Sequence, residues 1–158
     1  MTVVAALLTP KGAWMGCDTL SSNDDTCTTM ATAKVGKFGD KLLGFAGSWE
    51  GARILEIAKR YPDLPLTDIL FKAGRFEDDD LMLLCIERSK LFLILSARTV
   101  IEQAKKDGIA YGAIGSGDAV ALGSLYAYGV NRDGMVVALK AAAFHTPHVR
   151  APFKIIAL

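Results

Sequence analysis

The chain has 158 residues and a net charge of +1, from 18 lysine and arginine residues against 17 aspartate and glutamate residues. This length fits one domain over residues 1–158, with a core that needs no disulfide or metal for stability. The near-neutral charge, without a basic block, argues against binding to nucleic acid or to an anionic membrane surface. No apolar run approaches the roughly 20 residues of a membrane-spanning helix, so the mean hydropathy of +0.30 favours a large subunit interface.

The cysteines and histidines do not predict a metal site. The three cysteines are Cys17, Cys27 and Cys85. Their odd number and their spacing are typical of reduced thiols, and the start Met1-Thr2-Val3 lacks the charged region of a signal peptide. We therefore expect a cytoplasmic protein. His145 and His148 have no third ligand near them in sequence, so neither a metal nor another cofactor is expected.

The first third of the sequence predicts two β-hairpins separated by a loop. The first hairpin pairs Thr2–Leu8 with Ala13–Asp18, two segments rich in small and β-branched residues. Ser21–Thr29 is polar and rich in turn formers, which indicates a loop. The second hairpin pairs Thr32–Phe38 with Leu42–Ala46. Because the two hairpins have the same character, we expect them to form one continuous antiparallel sheet.

The middle of the chain predicts two helices. Ser48 is a candidate cap for the first helix, whose apolar residues recur at helical spacing until Pro62 ends it. A shorter helix is predicted over Leu66–Ala73. The acidic run Glu77–Asp80 then indicates a solvated turn rather than a metal site.

The second half of the chain predicts a third hairpin, a further strand, two apolar helices and a last strand. These segments are Leu81–Glu87 with Leu91–Ser96, Tyr111–Ile114, Asp118–Tyr128, Met135–Phe144 and Phe153–Ala157. This order indicates an α+β protein with antiparallel hairpins. Helices that are apolar on every face need cover on both sides, so we expect a sheet on one side and neighbouring subunits on the other.

Thr2 is a candidate nucleophile because of its position. Removal of Met1 would leave a threonine with a free α-amine, whose unperturbed pKa is about 7.7–8.0. A base of this strength beside a hydroxyl can activate a weak nucleophile. Many proteins begin with Met-Thr, however, and the position alone does not distinguish a catalytic threonine from an ordinary one.

Two charged residues strengthen the hypothesis. Asp18 ends the second predicted strand and Lys34 begins the third, and each interval from Thr2 to Asp18 to Lys34 is 16 residues. In adjacent antiparallel strands, such spacing can bring all three residues to one end of the sheet. Taken singly, Asp18 is better interpreted as a turn residue and Lys34 as a solvated one, because charged residues at strand ends are usually exposed.

These residues, together with two glycine motifs, resemble the HslV peptidases, the bacterial relatives of proteasome β-subunits. The family pattern has an N-terminal Thr, an Asp ending the second strand, a Lys on the third strand and then Gly-Phe-Ala-Gly. This sequence shows Thr2, Gly16-Cys17-Asp18, Lys34 and Gly44–Ser48 in order. A second match at Ala113–Gly117 precedes an apolar helix, and the resemblance extends over nearly the whole chain.

The resemblance implies the N-terminal-nucleophile (Ntn) hydrolase fold, a four-layer α-β-β-α sandwich, and a catalytic set. Thr2 would attack the peptide carbonyl, with its own amine as the base. Lys34, paired with Asp18, would favour the alkoxide. The backbone N–H of Gly47 would receive the oxyanion, and Ser116 would complete the polar network around the amine.

The resemblance also implies assembly and partners. Stacked rings of six or seven copies would enclose a chamber in which unfolded polypeptides are hydrolysed, with an ATP-dependent unfoldase as a possible partner. The residues expected at the substrate-binding wall are Ser21, Thr32, Gly36, Phe45 and Trp49. For Phe45 and Trp49 a place in the hydrophobic core is an equally good interpretation.

Three departures from the family pattern leave alternatives open. Ala143-Phe144 stands where the family has Gly-Asp, Val3 replaces a second threonine, and with Met1 attached the nitrogen of Thr2 is a non-basic amide. A catalytically silent, ring-forming homologue is therefore the alternative hypothesis. A phosphate site at Gly115-Ser116-Gly117 is chemically allowed, but the P-loop lysine is missing.

Overall fold

The strands form two antiparallel sheets. In the computed structural model the described residues are 2–23, 26–29, 33–74, 81–96 and 98–158; for 20–23 and 26–29 only the backbone is described. The first sheet has the order β10-β1-β2-β11. Its strands are β1 (Val3–Thr9), β2 (Gly12–Asp18), β10 (Ala110–Gly115) and β11 (Phe153–Ala157).

The second sheet has five strands in chain order, β5 to β9. They are β5 (Val35–Phe38), β6 (Lys41–Ala46), β7 (Met82–Glu87), β8 (Lys90–Ser96) and β9 (Thr99–Glu102). A separate two-stranded hairpin lies between the sheets in sequence, formed by β3 (Leu20–Asn23) and β4 (Thr26–Thr29).

A pair of helices covers the outer face of each sheet. The second sheet packs against α1 (Glu50–Arg60) and α2 (Leu66–Ala73), whereas the first packs against α3 (Asp118–Tyr128) and α4 (Arg132–His145). The layers therefore run helix, sheet, sheet, helix. This confirms the predicted α+β fold, a four-layer α-β-β-α sandwich.

The alternation of side chains along β1 explains why this strand is buried on both faces. Val4, Ala6 and Leu8 belong to the cluster between the two sheets. Val3, Ala5 and Leu7 belong to the cluster beneath α3 and α4. Because successive side chains point to opposite faces of a sheet, a strand that is apolar at every position lies between two layers.

Three predictions about the elements were wrong. The two early hairpins do not share a sheet, since β1 and β2 lie in one sheet and β5 and β6 in the other. Most of the predicted loop Ser21–Thr29 lies in two paired strands, β3 and β4. The N-cap position of the first helix is Trp49, whose side chain makes no capping hydrogen bond, and not Ser48. The Ser48 hydroxyl accepts the Glu50 N–H at 3.4 Å, and its carbonyl accepts the Gly51 N–H at 3.2 Å. The acidic run Glu77–Asp80 lies outside the described residues.

In the described part of the chain, no helix is long and apolar enough to cross a membrane.

Candidate active site

Thr2, Asp18 and Lys34 meet at one end of the sandwich, between the two sheets. Thr2 directly precedes β1, Asp18 is the last residue of β2, and Lys34 directly precedes β5 in the opposite sheet. All three are buried, with exposed fractions of 6%, 0% and 5%. The structure therefore brings together three polar side chains that the sequence spaces 16 residues apart.

The hydroxyl of Thr2 lies between a carboxylate and an ammonium group. Thr2 Oγ1 donates a hydrogen bond to Asp18 Oδ1 at 2.5 Å, and Lys34 Nζ donates to Thr2 Oγ1. Lys34 Nζ also lies 3.1 Å from each oxygen of the Asp18 carboxylate. A cation in contact with a hydroxyl oxygen favours the alkoxide, and the carboxylate offsets the cost of burying the cation.

The main chain around Thr2 is held from both sides. Asp18 Oδ1 accepts the Val3 N–H at 2.9 Å, and the Ser116 hydroxyl donates to the Thr2 carbonyl oxygen at 3.3 Å. Gly115 pairs with Val3 across the β1–β10 ladder and has a φ of +94°. A Cβ at Gly115 would overlap the Thr2 carbonyl oxygen, so the motif needs glycine there for two reasons.

Gly47 lies at the same end of the second sheet as Lys34. β6 runs antiparallel to β5, and the N–H of Phe45 donates to the Lys34 carbonyl oxygen at 3.0 Å. Gly47 directly follows β6, is exposed and has a φ of +90°. This left-handed turn between β6 and α1 is a conformation that glycine adopts without strain.

The residues expected at the substrate-binding wall occupy different environments. Gly36 is half-buried in β5. Phe45 is only 3% exposed and packs in the cluster beneath α1 and α2, whereas Trp49 is 58% exposed at the start of α1. The side chain of Ser21 and all of Thr32 lie outside the described residues.

Cys17 lies next to the pair formed by Asp18 and Lys34, but its thiol has low reactivity. Its thiol is 1% exposed and belongs to the cluster between the sheets. Burial raises the pKa of Cys17 from 9.0 to about 12; the Asp18 carboxylate adds to the rise and the Lys34 ammonium opposes it. The thiol is therefore protonated at neutral pH and does not compete with Thr2 as a nucleophile.

Two contributions at the site were missed from sequence: the Val3 N–H and the contact of Gly115 with the Thr2 carbonyl. The identity of a residue does not indicate whether its main-chain N–H will act as a donor at a site. Gly115, by contrast, ends a strand in the quoted Gly-Ser-Gly motif, and a glycine there is a usual sign of close backbone approach. Within the described ranges, no three His, Cys, Asp or Glu side chains group as metal ligands.

Solved structures with the same architecture identify the fold. BPH from Thiobacillus denitrificans matches with a TM-score of 0.74 and 21% identity, over 99% of this chain and 97% of that one. The same protein in complex with epoxomicin matches with a TM-score of 0.74, 20% identity and the same coverage. Eukaryotic HslV from Trypanosoma brucei matches with a TM-score of 0.74 and 18% identity, over 99% and 98% of the two chains. The chain has the fold of HslV.

Anbu, the ancestral β-subunit from Yersinia bercovieri, has the same fold, with a TM-score of 0.74 and 14% identity over 99% of this chain and 81% of that one. HslV and Anbu are members of the proteasome-type Ntn-hydrolase family, which the glycine motifs and the three polar residues also resemble. No family model and no curated protein matches the sequence. At these identities the likeness to HslV establishes the fold alone.

Proposed function

We propose that the chain is a threonine endopeptidase whose nucleophile is Thr2. The observation that carries this proposal is the position of Thr2 Oγ1, which contacts both Asp18 Oδ1 and Lys34 Nζ in a buried setting. A merely structural threonine at the start of a strand does not need a buried ion pair around its hydroxyl. The pair of Asp18 and Lys34 favours the alkoxide form of that oxygen, which a nucleophile needs.

The first chemical step forms a bond between Thr2 Oγ1 and the carbonyl carbon of the substrate. The hydroxyl proton passes to the free α-amine of Thr2, directly or through a water molecule, because an amine with a pKa near neutrality is a suitable base. Lys34 stabilises the developing alkoxide, and Asp18 holds Lys34 in place. The exposed N–H of Gly47 receives the negative charge that develops on the carbonyl oxygen.

The second step breaks the peptide C–N bond. The protonated α-amine returns its proton to the leaving nitrogen, and the acyl group remains as an ester on Thr2 Oγ1. Water then attacks the carbonyl carbon of this ester and gives a proton to the α-amine. The bond between this carbon and Thr2 Oγ1 breaks, the α-amine passes the proton to Oγ1, and the second product leaves as a carboxylic acid. Ser116, hydrogen-bonded to the Thr2 carbonyl oxygen, keeps the amine in position through both steps.

The proposed substrates are unfolded polypeptides. Thr2 is 6% exposed, and a buried nucleophile between two sheets is more accessible to an extended chain than to a folded surface. Ser21, Thr32, Gly36, Phe45 and Trp49 remain the proposed substrate wall. Among the two aromatic residues, the exposed ring of Trp49, two residues after Gly47, is the better placed to contact a substrate side chain.

The proposed setting is a homo-oligomeric ring or double ring of six or seven copies in the cytoplasm. HslV and other proteasome-like homologues form ring oligomers, and this chain shares their fold. A chamber formed by a ring would restrict access to unfolded chains, so an ATP-dependent unfoldase is the proposed partner.

The alternative is a catalytically silent, ring-forming homologue. Its support is the missing acidic residue, since Phe144 stands at the corresponding place and is 85% exposed on α4. The peptidase proposal is favoured because Thr2, Asp18 and Lys34 form a complete hydrogen-bonded set, for which a scaffold has no physical need.

The test combines intact-mass spectrometry with a covalent probe. Epoxomicin, the ligand of the similar BPH structure, is expected to add one mass equivalent to chains that begin at Thr2 and none to chains that retain Met1. Thr2→Ala should abolish the addition, and Thr9→Ala, at the far end of β1, should not. If fully processed chains neither take up the probe nor hydrolyse peptides, the silent-homologue hypothesis is correct.

A further inference from the structure

Gly44 lies at a point of close approach between the two sheets. The side chains of Leu42 and Ala46, two residues away on either side along β6, belong to the cluster between the sheets, so Gly44 faces the same cluster. Gly44 is buried, and its φ is not left-handed. Backbone conformation therefore does not explain the glycine, and close packing against a neighbouring strand is the other usual reason for one inside a strand.

The space that a side chain at Gly44 would occupy is already filled. A Cβ there would lie 2.8 Å from Val4 Cγ1 of β1, 2.8 Å from Met15 Sδ of β2 and 2.9 Å from Val35 Cγ1 of β5. Carbon atoms in contact are about 3.5–4.0 Å apart, so these distances are overlaps. The methionine side chain is flexible enough to turn away, whereas valine is stiff at χ1. The two valines would make room mainly by movement of their strands.

The two valines connect this contact to the candidate active site. Val35 directly follows Lys34, and Val4 lies two residues after Thr2 in the chain. β1 belongs to the first sheet and β5 to the second, so the contacts of Lys34 with Thr2 and Asp18 cross from one sheet to the other. The distance between the sheets at Gly44 therefore determines whether Lys34 Nζ reaches the other two side chains.

We infer that Gly44 is a positioning residue for the peptidase reaction. Because it has no side chain, β1 and β6 approach closely enough for Lys34 Nζ to contact Thr2 Oγ1 and Asp18. An extra methyl group in a well-packed core forces backbone shifts, and a shift here moves Lys34 away from both partners. The inference rests on the proposed function for its effect on rate, whereas the close approach of the sheets is a property of the fold.

Gly112 is a matched control in the same interface. It lies in β10 of the first sheet, is buried, and has a φ that is not left-handed. A Cβ at this position would lie 3.4 Å from Leu84 Cδ2 and 3.6 Å from Leu91 Cδ2, both of the second sheet. These are ordinary contact distances. Gly112→Ala therefore adds the same methyl group between the same two sheets, at a place that has room for it.

The experiment measures two quantities on processed, assembled chains. The first is the rate of epoxomicin addition at Thr2, followed by intact-mass spectrometry. The second is the nuclear Overhauser effect (NOE) between the methyl groups of Val4 and Val35, which reports the distance between the sheets whether or not the protein is active. The variants are Gly44→Ala, Gly112→Ala and Lys34→Ala, together with Gly44→Ala combined with Lys34→Ala and with Val4→Ala.

Gly44→Ala should lose most of this NOE and react about 10- to 100-fold more slowly with the probe, since a displacement of about 1 Å at a reacting group costs on the order of 10²-fold in rate. Gly112→Ala should keep the NOE and react within about threefold of the unmodified protein, because no reacting group is displaced. Adding Val4→Ala to Gly44→Ala exchanges volume between facing positions, which cores tolerate, and should also return the rate to within about threefold.

The combination with Lys34→Ala tests whether the effect passes through Lys34. Once the ammonium group is absent, a shift of its backbone misplaces nothing further, so Gly44→Ala should slow the Lys34→Ala protein by less than about twofold. A general loss of packing would instead slow both proteins by the same factor. That result, or equal probe rates for Gly44→Ala and Gly112→Ala, overturns the inference.

Two other outcomes are decided separately. If the unmodified protein takes up no probe, the peptidase proposal fails, and the NOE alone decides whether Gly44 sets the distance between the sheets; its retention in Gly44→Ala shows that it does not. If Gly44→Ala does not fold, its combination with Val4→Ala takes its place. That protein should fold and react, and failure to do either shows that lack of space is not the reason for the glycine.

Discussion

One carboxylate oxygen organises most of the candidate site. Asp18 Oδ1 accepts the Thr2 hydroxyl at 2.5 Å and the Val3 N–H at 2.9 Å, and Lys34 Nζ lies 3.1 Å away. The Thr2 hydroxyl, the adjacent backbone and the Lys34 ammonium are therefore held by a single side chain at the end of β2. Charged hydrogen bonds of this kind are about twice as strong as neutral ones.

Replacement of the cation is the direct test of its role. Lys34→Ala removes the positive charge that contacts Thr2 Oγ1, and the loss of one preorganised charge costs on the order of 10²–10³ in rate. Peptide turnover and ring assembly are measured on the same sample. Lys59→Ala is the control, since Lys59 is 71% exposed in a surface pair. Full turnover in an assembled Lys34→Ala protein would assign the electrostatic role to another group.

The glycine that contacts Thr2 has a matched control in the next helix. Gly115→Ala should abolish probe addition and destabilise the fold by more than about 1 kcal/mol, because the new Cβ meets the Thr2 carbonyl oxygen at a φ of +94°. Gly123 lies inside α3 with open space around it, so Gly123→Ala should be neutral or gain up to about 1 kcal/mol. Urea unfolding with probe labelling distinguishes them; equal effects would contradict the contact.

At the scale of elements, the sequence predicted the strands and helices better than their arrangement. The hairpin of β1 and β2 and the boundaries of α2 and α3 follow from apolar periodicity and turn residues. Periodicity cannot assign a hairpin to a sheet, however, and the two early hairpins lie in different sheets. The strand β9 was not predicted because all four of its residues are exposed, so no alternation marks it.

The candidate site, like the fold, was predicted from the sequence only in part. Equal spacing predicted that Thr2, Asp18 and Lys34 meet at one end of a single sheet. The three side chains do meet, but Lys34 comes from the opposite sheet, so the strand adjacency behind the prediction was wrong. The Val3 N–H donor was not predictable, because a main-chain group is the same whichever side chain the residue carries. Phe45 illustrates the same limit, since its burial beneath α1 follows from the face of β6 on which it lies.

A buried lysine joins the helix connection to the sheet at the opposite end of β6. Lys41 is 1% exposed, and its Nζ donates to the Pro62 carbonyl oxygen at 2.5 Å and lies 4.0 Å from Glu87 Oε1. The same Glu87 oxygen accepts the Leu66 N–H at the start of α2. These contacts fix the segment between α1 and α2 against the end of the second sheet where β6 begins and β7 ends.

Lys41→Met should therefore destabilise the fold by about 3 kcal/mol. The substitution keeps the apolar stem but leaves the Glu87 carboxylate buried without its cation, which typically costs about 3–5 kcal/mol. Lys90→Met is the control: Lys90 pairs with Glu102 at 2.8 Å, but both are about half exposed, so less than about 1 kcal/mol is expected. Chemical unfolding measures both variants. A loss as small as that of Lys90→Met would show that Lys41 contributes little to this packing.

At the scale of the whole molecule, apolar surface remains after the core is formed. Among the described residues, the most exposed aromatic side chains lie on the two helix layers: Phe71 is 87% exposed on α2, while Tyr126 and Phe144 are 82% and 85% exposed on α3 and α4. A mean hydropathy of +0.30 is consistent with surface of this kind. Contiguous apolar surface on a protein of this size usually marks contact with another chain.

The assembly prediction follows from this surface. Native mass spectrometry and sedimentation should show a ring or double ring well above 16.9 kDa, formed through α3 and α4. Tyr126→Glu places a charge on the exposed surface of α3 and should dissociate the assembly, because an unpaired charge buried in the contact would cost several kcal/mol. Phe71→Glu is equally exposed on the opposite helix layer and should leave the assembly intact. A stable monomer at micromolar concentration would contradict the interface, and dissociation by Phe71→Glu alone would place it on α1 and α2.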